Sequence, residues 1–479
     1  MPSRSDSSHA PRRVLVTGAT GYVGGALVPV LLDRGWTVRV LTRSRRGLEG
    51  REWADRVEVV EGNATSADDC RRALADVDVA YYLLHSMDGK GDFMARDREM
   101  AHTFSDAAKD RGVERIVYLS GLHPKGRLSD HLASRVEVGD IFLEGPVPAT
   151  VLQAGIVLGD GSASFDMLRH LTERLPAVVA PRWLRNRIQP VAVDDVMHYL
   201  AGSALMGPEV NRTFDIGGPE VLTYAEMMQR YAEIVGLGRR FITTVPVLTP
   251  KLAGLWIDIV TPISRGIGRP LIGSLVHEAV CDEQDILDVT GPPPGGRTGF
   301  EDAIRAANRG IDPFRWRRTL ARTSAVVGAA AVTGSLLTDP GSRWYRTLDR
   351  PSWEPPPAAF PVVWTGLYAD VALVSAVSSS YLAEAGRGDE ARELEQALGL
   401  NMALNAAWTG LFFRAKRPWL ATAECAVLTL SSADLARRAG AAGRGKAVAI
   451  GAYAAWCGFA TVLSGTIAHR NRRRRGFLR

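Results

Sequence analysis

The stretch Arg13-Val14-Leu15-Val16-Thr17-Gly18-Ala19-Thr20-Gly21-Tyr22-Val23-Gly24 decides the fold. An apolar, β-branched run ends in Gly18, Gly21 and Gly24 and passes directly into a helical pattern from Tyr22 to Asp33. Such a passage brings a backbone close to a pyrophosphate. One glycine tightens the turn, the next leaves room for the phosphates, and the last lets the helix pack on the strand, while free N–H groups at the helix start face the anion. Thr20, Tyr22 and Val23 join the three glycines as cofactor-binding candidates. A tight turn without a ligand is the alternative, and the place of the glycines between a first strand and a first helix favours the nucleotide.

Working outward, the same alternation recurs. Val38 to Leu41, Val57 to Val60, Val79 to Leu84, Ile116 to Leu119 and Thr150 to Val157 are strand-like, and Phe93 to Asp110 and Ser129 to Leu143 have helical period. The repeat is βαβ, so the expected fold is an α/β doubly wound parallel sheet. Beyond Gly159 the pattern loosens, as in a substrate-side lobe, and the proline–glycine run from Gly291 to Gly296 breaks regular structure. Residues 1–11 are polar, with Pro2 and Pro11 and no apolar core, and are expected to be a disordered tail and not a secretory signal. The expected organisation is the tail at 1–11, a nucleotide domain at 12–290, a linker at 291–318, a membrane domain at 319–471 and a basic tail at 472–479.

The end of the second strand selects the dinucleotide. Leu41-Thr42-Arg43-Ser44-Arg45-Arg46 carries no acid for the ribose hydroxyls and offers guanidinium forks and a hydroxyl to a 2′-phosphate. Arg43, Ser44 and Arg45 are the candidates, and NADP(H) is expected over NAD(H). A solvated basic loop is the other reading.

The second half differs in kind. The chain has 479 residues with 58 Lys+Arg and 52 Asp+Glu, room for about three domains, yet residues 319–479 hold 19 of those cations and only 11 of the acids. Thr323 to Thr338, Pro355 to Ala369, Gln396 to Phe413 and Ala447 to Ala468 are uncharged, and Trp419 to Ala433 carries only Glu424. At roughly 20 residues per bilayer crossing, these are five candidate transmembrane helices; a buried all-α soluble domain is the alternative. The basic excess lies between and after apolar runs, as in membrane proteins, so nucleic acid is not an expected partner. The four cysteines, Cys70, Cys281, Cys425 and Cys457, have no zinc or disulfide spacing, and no metal is expected.

The first half resembles the atypical, NmrA-like branch of the short-chain dehydrogenase/reductase superfamily over roughly residues 12 to 310. The resemblance rests on Thr17 to Gly24, on Glu61-Gly62-Asn63, on Tyr81-Tyr82-Leu83-Leu84-His85-Ser86-Met87 and on Gln189 to Val196. It implies a Rossmann domain with Asn63 against the adenine, Leu84, His85 and Ser86 beside the nicotinamide ribose, and Ser120 as the catalytic hydroxyl. Active members also carry Tyr and, four residues later, Lys, whose ammonium lowers the phenol pKa. This chain has His131 and Arg135 at that spacing and no YxxxK pair. His131 is either the acid, with Arg135 as anchor, or a solvated helix-surface residue, and enzymatic activity stays open.

Pro351-Ser352-Trp353-Glu354-Pro355-Pro356, Trp364-Thr365-Gly366-Leu367-Tyr368, the run from Leu400 to Phe413 and Tyr453 to Ala460 look like the TspO/MBR family of tryptophan-rich sensory proteins. That resemblance implies a five-helix transmembrane bundle with a pocket for a flat hydrophobic ligand such as a porphyrin, with Trp353 and Trp456 as walls and Trp364, Tyr368 and Asn405 near it. Asn401 and Asn405, one turn apart in an apolar helix, must face partners or a pocket. Trp53, outside these motifs, is expected at the surface.

Together these features make the chain a multi-pass protein of a bacterial cell membrane, its N-terminal domain cytoplasmic, binding NADP(H) and a porphyrin-like ligand as a sensor or transporter-like protein. The alternative is an NADPH-dependent oxidoreductase acting on a lipophilic substrate captured by the membrane domain. A homodimer through the membrane half is among the expected partners. Five spans put the two ends on opposite sides although the tail from His469 to Arg475 also asks for the cytoplasm; either the tail is translocated or one run does not span, and Thr323 to Thr338, the weakest, is the candidate.

Overall fold

The structure, a computed structural model, describes residues 12–85, 92–124, 128–245, 268, 271–273 and 275–472. The chain divides into two compact units between Ile311 and Asp312. In the first, β1 (Arg13–Thr17), β2 (Thr37–Thr42), β3 (Glu58–Glu61), β4 (Val79–Tyr82), β5 (Arg115–Gly121), β6 (Ala149–Ala154) and β7 (Arg212–Ile216) form one sheet in the order β7-β6-β5-β4-β1-β2-β3. Every pairing in it is parallel. The order of the strands reverses between β4 and β1, which is where a doubly wound sheet opens a crevice at its carboxyl edge.

Burial explains why these residues form strands. All four residues of β4 are buried, as a sheet covered on both faces requires. On one face Tyr82 packs against Phe104 (5.0 Å) and Phe142 (4.9 Å) from α3 (Phe93–Asp110) and α4 (Asp130–Leu143). On the other, Val16, Tyr81 and Val117 pack with Leu27, Val28 and Leu31 of α1 (Tyr22–Asp33). Trp53 is a correction to the sequence expectation: it is buried, its indole N–H donating to the Gly25 carbonyl at 3.2 Å. The segment expected to be a linker, 291–318, also folds in part. Phe300–Ala307 is a helix because Phe300, Ala303, Ile304 and Ala307 share one buried face, and a second helix starts at Arg315. The proline–glycine run marks a loop.

The second unit contains five long helices: α5 (Arg315–Leu337), α6 (Ala359–Glu384), α7 (Gly388–Thr409), α8 (Pro418–Gly440) and α9 (Arg444–Arg470). Among the described residues α5, α6 and α9 are long and apolar enough to cross a membrane. Each of the five expected runs falls on one of these five helices, three of which have that length and apolarity. Helix α7 opens with Asp389, Glu390, Arg392, Glu393 and Glu395, and α8 closes with Asp434, Arg437 and Arg438. The run from Thr323, expected to be the weakest, belongs to one of the three because its helix begins two turns earlier.

Polarity in this unit is inverted relative to a water-soluble bundle, against the soluble all-α alternative. Leu430 (72% exposed), Val448 (76%) and Leu336 (70%) face outward while Asn401, Ser378 and Ser432 are fully buried, the arrangement expected where lipid surrounds helices. The buried groups form one chain across four helices. The Tyr368 hydroxyl donates to Asn405 Oδ1 (2.7 Å), Asn405 Nδ2 to the Tyr453 hydroxyl (3.2 Å), and that hydroxyl to Asn401 Oδ1 (2.9 Å). Asn401 Nδ2 closes it on Ser431 (3.1 Å) and Ser432 (3.0 Å). Removing the central hydroxyl leaves two buried amides short of partners, at about 1–3 kcal/mol. Tyr453→Phe is therefore expected to lower the melting temperature of the helical unit in detergent, and an unchanged transition would contradict the chain's structural role.

Candidate functional site

The turn after β1 is set by two close approaches. A Cβ at Gly18, whose φ is +72°, would sit 2.4 Å from the Leu83 carbonyl oxygen, and one at Gly24 would sit 2.5 Å from the Gly18 oxygen. Both glycines are therefore required by the fold itself. Gly21 differs: its Cβ would meet only the Gly18 oxygen, at 3.2 Å, so its open side is available to a ligand. It stands as the N-cap of α1 with no side-chain cap, which leaves the N–H groups of the first turn, including those of Tyr22 and Val23, to face an anion. These residues fit a pyrophosphate. The Tyr22 side chain packs elsewhere: a Cβ at Gly159 would come 2.1 Å from its hydroxyl, and burial, then Asp160, Asp194 and Asp166, push its phenol pKa up. Tyr22 contributes through its backbone.

The basic loop lies on this turn. A Cβ at Gly47 would come 2.9 Å from the Thr20 methyl, and Arg51 donates to the Thr20 carbonyl at 3.2 Å. Arg43, Ser44 and Arg45 are exposed. Ser44 caps the short turn that follows by accepting from the Arg46 N–H (3.3 Å), and the Arg45 N–H donates to Glu61 (2.9 Å). Arg51, eight residues past Arg43, was outside the sequence motif, and no spacing rule points to it. Asn63 accepts from the Thr65 N–H (3.2 Å) and its own N–H donates to Asp69 (2.9 Å), which fixes the turn between β3 and α2 (Ala67–Ala73).

At the carboxyl ends of β4 and β5 the candidates separate. The Ser120 hydroxyl donates to the Arg135 carbonyl (3.3 Å), and the Arg135 guanidinium folds back onto the Leu119 carbonyl (2.5 Å). His131 joins neither of them in a hydrogen bond. Its Nδ1 instead lies 2.9 Å from His85 Nε2, and His85 Nδ1 lies 3.1 Å from Asp97 Oδ2. Asp97, which also accepts from Ser134 at 3.1 Å, is only 2% exposed. The sequence carried a signal for it: Asp97 stands on the stripe of Met100, Ala101, Phe104 and Ala108 that α3 buries. Burial, Arg135 and His85 push His131 down to about 3. Burial likewise lowers His85 against the pull of Asp97. Leu84 is half-buried beside them; Ser86 lies outside the described residues.

In the helical unit the expected ligand residues form a file of rings. Trp353 packs on Phe459 (5.9 Å), Phe459 on Trp456 (5.2 Å), Trp456 on Trp364 (6.5 Å) and Trp364 on Tyr368 (5.2 Å). Phe459 stands between the two expected walls. Asn405 is spent on Tyr368 and Tyr453, whereas the buried Trp456 indole nitrogen has no hydrogen-bond partner among the described residues.

The profile of the TspO/MBR family matches residues 323–470. The C-terminal unit belongs to the TspO/MBR family. An NAD(P)H-binding family profile matches residues 18–138, so the N-terminal unit is an NAD(P)H-binding domain, and the chain fuses the two. An uncharacterized membrane protein, YtaB of Bacillus subtilis, is 30% identical over 155 residues, 30% of this chain and 97% of that protein. The tryptophan-rich sensory protein of Cereibacter sphaeroides is 37% identical over 109 residues, 22% of this chain and 60% of its own length. The divinyl chlorophyllide a 8-vinyl-reductase of rice (Oryza sativa subsp. indica) is 27% identical over 273 residues, 53% of this chain and 66% of that enzyme. The chain thus spans less than two thirds of either of these last two proteins. The fold of the first unit is that of triphenylmethane reductase from Citrobacter sp., with a TM-score of 0.50 at 17% identity over 62% of this chain and 99% of that one.

Two outcomes follow for the fused protein. Gly21→Val is expected to abolish NADPH binding in titration while lowering the melting temperature less than Gly18→Ala does; retained affinity in Gly21→Val would remove the phosphate site. Both imidazoles bind protons less readily folded than unfolded, so the unfolded chain takes up more protons below about pH 6.5. Stability of the NAD(P)H-binding unit is therefore present above that pH and lost progressively as pH falls toward 3. His131→Gln is expected to flatten this slope in thermal melts, and an unchanged slope would contradict it.

Proposed function

We propose that this chain is a membrane-attached NADP(H)-binding protein whose TspO/MBR half takes a flat hydrophobic ligand of the porphyrin kind. The file of rings from Trp353 through Phe459 and Trp456 to Trp364 carries this reading, because flat macrocycles gain offset stacking beyond area burial and the Trp456 N–H is a donor left for a polar edge. The chemistry of the exposed Arg43–Arg46 loop, with Arg51 at the glycine turn, supports NADP(H) over NAD(H). Three apolar helices and an outward apolar surface support a multi-pass membrane location; the nucleotide half takes the cytoplasmic side because that is where it meets NADP(H).

One observation favours reduction of the ligand over sensing alone. A buried carboxylate with two imidazoles in file stands at the substrate edge of a nucleotide sheet, where sensing needs no such chain. The rice relative, matched over 53% of this chain, is a reductase of a chlorophyllide, itself a flat macrocycle, which agrees with the ligand class read from the rings.

Binding tests both parts. Quenching of tryptophan fluorescence by protoporphyrin in detergent is expected to weaken several-fold in Trp353→Ala and Trp456→Ala, each losing about 0.5–1.5 kcal/mol of stacking, and to be unchanged in the exposed Trp419→Ala. Equal losses in all three, or none, would contradict the ligand site. Arg43→Ala is expected to weaken NADPH by about 1.5–3 kcal/mol and NADH little; equal losses would make the arginine a mere loop charge.

A further inference from the structure

Three elements contribute one group each to a file of hydrogen bonds that no motif of the sequence contains. Asp97 comes from α3, His85 from the segment after β4, and His131 from the first turn of α4. His85 uses both ring nitrogens, Nδ1 on Asp97 Oδ2 at 3.1 Å and Nε2 on His131 Nδ1 at 2.9 Å. His131 uses one, so its Nε2 is the end of the file. The rings meet edge to face with centroids 4.5 Å apart, and Ser134 holds the same Asp97 oxygen at 3.1 Å.

We propose that Asp97, His85 and His131 form a proton relay in which His131 Nε2 is the catalytic donor to the substrate and His85 and Asp97 are positioning residues that resupply it. The inference rests on the reductase reading above. It gives the chain an acid at the place where its relatives of the dehydrogenase superfamily carry a tyrosine and a lysine.

The surroundings dictate how the relay runs. The titratable and charged groups that face the two rings are Asp97 of α3 and Arg135 of α4. A positive helix start and a guanidinium both oppose an imidazolium, so the proton must pass without charging either ring. In the loaded state Asp97 is a neutral acid donating to His85 Nδ1, His85 Nε2–H donates to His131 Nδ1, and His131 carries its proton on Nε2. As that proton leaves for the substrate, the His85 Nε2 proton moves to His131 Nδ1 and the Asp97 proton moves to His85 Nδ1. Three protons each move one place. The file ends with a carboxylate, two neutral rings in the other tautomer and a bare His131 Nε2, and one proton from solvent restores it. Bound NADPH supplies the hydride that, with this proton, saturates one double bond of the substrate. A carboxylic acid is the member suited to hold the reserve, since desolvation favours its neutral form.

The test uses the full chain in detergent with two readouts. Nuclear magnetic resonance of histidine labelled with heavy nitrogen is expected to show neither His85 nor His131 charging near neutral pH, and Asp97→Asn is expected to move the ring signals of both. Independent titration of the two rings, or a change at His85 alone, overturns the relay whether or not any substrate turns over. With divinyl chlorophyllide as probe, His131→Gln is expected to lower kcat by about a hundredfold or more and Asp97→Asn by about tenfold, each with KM for NADPH unchanged. Coupled rings with unaltered kcat in both variants would make the file purely structural and overturn the proposal. A wild-type chain that consumes no NADPH would contradict the reductase reading and leave the resonance signals to decide whether the file is coupled.

Discussion

The nucleotide half depends on the contact between Gly18 and the end of β4. The backbone after β1 passes so close to the Leu83 carbonyl that no side chain fits there. Thr17 holds the approach, its hydroxyl donating to the Tyr81 carbonyl at 3.0 Å and accepting from the Leu83 N–H at 3.0 Å. One residue thus ties the phosphate turn to the strand that leads into Leu84 and His85. The cofactor cradle and the imidazole file are held at one edge of one sheet by this single crossing, which is why the strand order reverses there to useful effect.

A different constraint rules the helical half. Where lipid faces the outside, burying apolar surface no longer distinguishes the interior, and packing and hydrogen bonds must. The file from Tyr368 through Asn405, Tyr453 and Asn401 to Ser432 meets that demand by joining four helices. It also explains how Asn405 divides its amide: the oxygen accepts from Tyr368 and the nitrogen donates to Tyr453. The proposed recognition surface falls instead to rings, with Phe459 between Trp353 and Trp456 and an indole N–H left over.

Much of this was legible in the sequence because it depends on local chemistry. The glycine spacing, the helices at Tyr22–Asp33 and Phe93–Asp110 and the paired amides one turn apart are fixed by neighbours within a few residues. What was hidden depends on distant segments. Asp97 and His85 lie twelve residues apart, and His131 a further 34 along the chain, so only the sheet brings them together. Arg135 matched a lysine's spacing, yet its longer, forked head finds the Leu119 carbonyl. The apolar runs of the second half were visible in the same way, whereas the charged turns that share helices α7 and α8 with two of them emerge only from the helix boundaries.

Both halves are read as serving one class of flat ligand, the first as the source of reducing power and the second as its receptor. The most direct measurement is NADPH consumption by the full chain in detergent, with and without divinyl chlorophyllide, in the wild type and in Trp456→Ala. The account predicts consumption only when the macrocycle is present, with the concentration needed rising several-fold in Trp456→Ala while NADPH affinity stays the same. Consumption that ignores the macrocycle, or a Trp456→Ala protein with the wild-type dependence on it, would contradict the account.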